Sequence, residues 1–221
     1  MRMRSNSFKD GAAIPGEFAF AMIGPDKRIV PGGNRNPHLA WSDVPEGAQS
    51  FVLICYDPDV PSRLDDMNRE GREVPASLPR IVFDHWVLLG IPGAAREIEA
   101  GRQSNGITLR GKPGPAAPDG LLHGINNYTA WFAGDADKRG VYYGYDGPYP
   151  PWNDALIHHY VFTIYALDVS RLDVDGELTG ASVRAALAGH VLAEASITGT
   201  YSLNPRLQSR EKNGVSPKTL A

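Results

Sequence analysis

Ser50-Phe51-Val52-Leu53-Ile54-Cys55-Tyr56-Asp57-Pro58-Asp59-Val60-Pro61-Ser62 decides how the chain reads. From Phe51 to Tyr56 every residue is apolar or aromatic, and the run is bounded by Glu46-Gly47 before and Pro58 after. A strand with one wet face alternates apolar and polar residues, whereas a strand covered on both faces has no need to. Two further runs share this character: Arg80–Leu89, closed by Gly90 and Pro92, and His158–Leu167. Together they predict three central strands. Ala195–Leu203 alternates more weakly and predicts a fourth. One helix is expected over Thr179–Ala195, which is alanine-rich and spaces Val183, Leu187, Val191 and Leu192 at helical intervals.

Composition agrees with a mainly β fold. Glycine (24) and proline (18) make up about 19% of 221 residues, against a typical ~12%. The long stretches Asp57–Pro79 and Gly101–Pro151 are rich in turn formers, and ordered loops of that length are usually functional or make interfaces. With no repeat and no shift in composition, the expectation is one domain over residues 1–221, its core at about 16–203 and its termini peripheral. A formal charge of −3 argues against nucleic acid or an anionic membrane as partner. The single cysteine, Cys55, excludes an internal disulfide, and its apolar strand predicts burial. No run approaches the ~18 apolar residues that span a bilayer, so an integral membrane protein is not expected. Met1–Asp10 is not followed by a signal-peptide core, which leads to the expectation of a cytoplasmic protein.

Three polar pieces stand at the ends of the central strands. Asp57 and Asp59 flank Pro58, and Pro58 and Pro61 stiffen the chain as it leaves its strand. Either the carboxylates bind a ligand or they only close a strand end. His85, in Asp84-His85-Trp86, would share a face with Phe83, Val87 and Leu89, where a lone histidine is commonly a hydrogen-bonded core residue. His158 and Tyr160 share a face with Phe162 and Ile164, while His159 points away. Before them comes Gly144-Tyr-Asp-Gly147-Pro148-Tyr-Pro150-Pro151, whose glycine N–H groups beside two histidines could hold an anion.

These motifs, taken in order, resemble the phosphatidylethanolamine-binding protein family, also called the Raf kinase inhibitor protein family. The resemblance rests on Asp57-Pro-Asp-Val-Pro-Ser62, His85 in a strand, the Gly-Tyr-x-Gly-Pro…Pro-Pro loop, His158-x-Tyr160 and Tyr165-Ala-Leu-Asp168. It extends upstream to Gly32–Trp41 and Val44–Gly47, and downstream to Ala193–Thr198. It covers residues 16–203 and is closest in content to the bacterial branch. The resemblance implies a β-sandwich with Greek-key character, a large antiparallel sheet and few helices. It also implies a small pocket for phosphate, phosphorylethanolamine or a similar anion, built from Asp57, His85, Gly147, Pro148, His158 and Tyr160. Asp59, Pro58 and Pro61 would support the turn, and Trp86 would pack in the core. Kinases or proteases are the protein partners the family implies.

Three departures stand out. Val60 replaces the usual alanine. His159 stands where the family carries arginine, which alters an ion pair behind the pocket. Trp152–Ile157 lengthens the run to His158, which reshapes the lip. No cofactor is implied. Neither an HExxH helix, a GxSxG elbow nor a Walker loop is present, so a non-catalytic binding protein is the first reading. A metal-assisted hydrolase using the same His/His/Asp cluster is the alternative. Leu121, Leu122, Tyr128, Trp131 and Phe132 fit either a cap on the domain's own core or a homodimer surface.

Overall fold

Apolar residues on both faces of three long runs demand cover on both sides, and the chain supplies it. The computed structural model describes residues 1–207. Its strands are β1 (Arg2–Arg4), β2 (Ala21–Ile23), β3 (Ile29–Pro31), β4 (Leu39–Ser42), β5 (Ser50–Pro61), β6 (Arg80–Pro92), β7 (Glu97–Ile98), β8 (Leu122–His123), β9 (His158–Leu167) and β10 (Val191–Tyr201). Accompanying them are the short α-helices α1 (Tyr128–Trp131) and α2 (Gly180–Ala186). The main antiparallel sheet runs β10-β9-β5-β6-β8, and a smaller sheet runs β1-β4-β7. β9 lies on the side of β5 away from β6, so the chain returns across the sheet by a long connection of Greek-key character.

The residues of β5 divide between two cores. Phe51, Leu53 and Cys55 face Trp86, Leu88, Phe162 and Ile164, with Leu39, Trp41 and Ile98 of the smaller sheet closing that side. Trp41 meets Phe51 edge-on, with ring centroids 5.3 Å apart. Val52 and Ile54 face the other way, against Val87, Leu89, Leu167 and the helix residues Val183 and Leu187. Each fully buried aliphatic side chain contributes about 1.5–3 kcal/mol, which is why strands without polar alternation are stable only between two layers. Cys55 is fully buried, and burial pushes its thiol well above its ordinary pKa.

Two expectations change. The helix ends at Ala186, and residues 191–195 belong to β10, paired with β9 from Val191↔Leu167 onward. Gly189, at φ +84, turns the chain out of the helix in the left-handed region where only glycine is unstrained. The N-terminal residues are not peripheral: β1 pairs with β4, and Phe8 and Ile14 enter the main core. In the Gly101–Tyr143 stretch Tyr128 and Phe132 join Val60, Phe83 and Tyr142 in a third cluster with Trp131 packed against it, whereas Leu122 is exposed. Leu121 is buried in the main core. Among the described residues no helix is long and apolar enough to cross a membrane.

Candidate functional site

The ends of β5, β6 and β9 meet, and two irregularities aim their side chains. On β6 the register slips between Cys55↔Trp86 and Tyr56↔Asp84, which leaves His85 as an extra residue. A β-bulge of this kind re-aims a side chain. His85 therefore does not share a face with Val87 and Leu89, as simple alternation would have it. It packs against Phe83 and Tyr160 at 4.9 and 5.0 Å between ring centroids. On β5 the register slips again between Asp57 and Val60, where Pro58 has no N–H to give. That slip parts the two carboxylates. Asp57 is buried against His158, and Asp59 turns to His159, accepting from its backbone N–H at 2.9 Å and facing its Nδ1 at 2.8 Å. Hydrogen bonding to Asp59 holds the His159 pKa above its ordinary value.

His158 is held from both ends. Its Nδ1 lies 2.7 Å from Asp57 Oδ2 and its Nε2 lies 3.2 Å from Asp154 Oδ2, and the side chain is fully buried. Burial opposes a charge on the ring, but the two carboxylates overcome it and raise the pKa to about 9. Asp154 is also gripped by Arg80, whose Nη1 and Nη2 donate to its two oxygens at 2.6 and 3.0 Å. Against the opposing effect of burial, His158 and Arg80 together hold the Asp154 carboxyl below its usual range.

His85 is held from one end only. Its Nδ1 lies 2.7 Å from the carbonyl oxygen of Asp146. That residue is fixed in turn: its carboxylate accepts from Asn34, Asn126 and Lys112 at 2.8, 2.8 and 2.6 Å. Burial lowers the His85 pKa against the raising influence of Asp57 and Asp146. Tyr160 is buried beside it, and burial together with the charge of Asp57 pushes its phenol well above 10.

These residues line a pocket of about 330 Å³, including its open mouth. Its enclosed part is only about 30 Å³, room for a water-sized group. Of the ligand-binding and supporting residues expected from sequence, Asp57, Pro61, His85, His158 and Tyr160 line it, together with Val60, Pro150 and Pro151 of the same motifs. Trp86 is buried in the core against Tyr145, and Pro58 and Asp59 do not line the pocket. Gly147 and Pro148 do not line the pocket, and their backbone groups are engaged elsewhere. The Gly147 N–H donates to Asn34 Oδ1 at 2.8 Å, its carbonyl accepts from the Tyr128 hydroxyl at 2.9 Å, and the Pro148 carbonyl accepts from Phe20 and Ala21. The expected free glycine N–H at position 147 is therefore spent on structure. The rest of the lining is largely aromatic, with Phe83, Tyr128, Trp131 and Tyr149 joined by Met67. Asp154, Arg80 and Asp146 escaped sequence reasoning. Asp146 lay inside the Gly144–Pro151 loop, Asp154 inside the Trp152–Ile157 run and Arg80 at the head of a central strand, but nothing in those stretches tied the three side chains to the histidines.

An antiparallel sandwich with an Asp–His–His–Tyr cluster at the ends of its central strands defines the class, and the chain belongs to the phosphatidylethanolamine-binding protein family, which it matches over residues 4–202. YbhB of Escherichia coli K12 is 34% identical over 202 residues, spanning 91% of this chain and all of YbhB. The crystal structure of E. coli YbcL, described as a new member of the mammalian PEBP family, superposes with a TM-score of 0.63 at 29% identity, covering 91% of this chain and 97% of YbcL. The structure of CT736 from Chlamydia trachomatis gives 0.61 at 26% identity, covering 91% and 96%.

Proposed function

We propose that this chain is a non-catalytic binding protein that holds a small oxyanion, phosphate or a phosphorylated headgroup, in the pocket of Asp57, His85, His158 and Tyr160. One observation carries the reading: His85 has a single ring nitrogen left for a ligand. A carbonyl can only accept, so Nδ1 carries the hydrogen that meets Asp146, and Nε2 has no hydrogen-bond partner among the described residues. With its pKa lowered by burial, the ligand-free ring is neutral near pH 7. An incoming anion reverses that balance. Either it brings a hydrogen on one of its own oxygens or His85 takes up a proton, and both routes bind one proton with the anion. Tyr160 keeps its phenolic hydrogen, directed at Asp57, and walls the pocket beside His85. The aromatic lining surrounds the site with apolar surface, in which hydrogen bonds are stronger than in water.

The hydrolase alternative needs a metal, and His158 has no lone pair to offer while it is protonated between two carboxylates. Among the described residues no group of three or more His, Cys, Asp and Glu side chains is arranged to hold a metal ion.

Calorimetric titration with phosphate and phosphorylethanolamine at about pH 6 and about pH 8 tests the proposal, with tighter binding expected at the lower pH. His85→Gln should bind about 10- to 100-fold more weakly, the worth of one charge-assisted hydrogen bond. Absence of binding at both pH values overturns it, and so does stabilisation by zinc alone.

A further inference from the structure

The segment between Pro151 and His158 brings a second carboxylate to the buried histidine. We infer that Asp154 and Arg80 are positioning residues for the pocket: with Asp57 they clamp His158 through both ring nitrogens, so that His158 is a fixed charge beneath the ligand and His85 alone supplies the imidazole contact. The part played by His85 rests on the binding reading above, whereas the clamp stands without it.

The geometry is closed on every side. Only an imidazole with a hydrogen on each nitrogen can donate to carboxylates at both ends, and His158 faces Asp57 at 2.7 Å and Asp154 at 3.2 Å. Asp154 cannot easily turn away. Its Oδ1 accepts from the Leu156 N–H at 2.9 Å, its carbonyl accepts from Asn204 Nδ2 at 2.7 Å, and Arg80 binds both its oxygens. Arg80 is itself tied to the carbonyls of Asp59 and Pro75 at 2.9 and 3.0 Å. Two carboxylates, one imidazolium and one guanidinium sum to zero charge, so the buried group is compensated without a ligand. The other titratable groups near the ring are the His159–Asp59 pair, which face each other at 2.8 Å, and Tyr160, two residues along the strand. No ring nitrogen of His158 is left to reach into the pocket.

Nitrogen NMR of the histidine rings, followed against pH in the ligand-free protein, tests the clamp. Wild-type His158 should stay protonated on both nitrogens through neutrality. In Asp154→Asn its titration midpoint should fall by about one pH unit or more, because one of its two charges is gone. In Arg80→Gln it should rise, because a competing cation is gone. Opposite movements in two variants are not what a general loosening of the fold produces, and the second variant decides the matter if the first does not fold. Added phosphate should shift the ring nitrogens of His85 more than those of His158. A His158 midpoint that moves in neither variant overturns the clamp, and equal phosphate shifts at both rings overturn the division of roles. If phosphate does not bind at all, the binding reading falls while the ligand-free titrations still decide the clamp.

Discussion

A methyl group at position 147 would sit 2.1 Å from the carbonyl oxygen of Phe18 and 2.9 Å from the Tyr145 hydroxyl. Backbone cannot give way there as a flexible side chain would, since the Tyr145 hydroxyl itself donates to that carbonyl at 2.6 Å. Gly147→Ala should therefore cost about 2–3 kcal/mol, as an overpacked core does, read as a lower urea midpoint. Stability equal to wild type would show that the two segments can part freely. The same residue shows how far sequence reading reaches. The glycine could be picked out as important, but a demand for close packing and a demand for an open N–H leave the same letter. Asp57, His85, His158 and Tyr160 were legible because polar residues at the ends of apolar strands are conspicuous. Asp154 was not: it stands only four residues before His158, but the segment between them is no helix, and the bridge to Val74 that holds Asp154 in place joins positions eighty residues apart.

The three central strands were legible at the scale of elements because burial on both faces writes itself into composition. The segment after Gly180 was not. Alanine and the spacing of Val183 and Leu187 do form a helix, begun by a reciprocal Thr179–Ser182 cap. Beyond Ala186 that preference loses to the open edge of β9, where Val191–Tyr201 can pair along a whole strand. Tertiary pairing decides there, and local propensity does not. Gly189 marks the change, and a Cβ on it would meet nothing within 4 Å. Its replacement by alanine is then opposed by backbone conformation alone, at about 1–2 kcal/mol. Urea denaturation of Gly189→Ala checks this: a variant as stable as wild type would mean that the helix can lengthen without losing the strand.

For the molecule as a whole, the buried histidines set opposite limits on pH. His158 has a folded pKa of about 9 against about 6.5 when unfolded, so the folded state binds the proton more tightly. Its contribution is fully present below about 6.5 and is lost as pH rises through about 9. His123 runs the other way. Burial, aided by Lys112, lowers it to about 4, so its contribution is present above about 6.5 and is lost as pH falls toward 4. His85 is also lowered by burial and adds to the acid side. Each limb is of the order of 3 kcal/mol, large against the 5–15 kcal/mol that holds an ordinary domain folded. Unfolding free energy should therefore peak near neutrality and decline on both sides before the carboxylates or tyrosines titrate. Urea melts across the range measure the profile, and two variants divide it. His123→Gln should flatten the acid limb and leave the alkaline one, while Asp154→Asn should do the reverse. A profile level from about pH 4 to 9 would mean that neither histidine is held in the charge state its neighbours dictate.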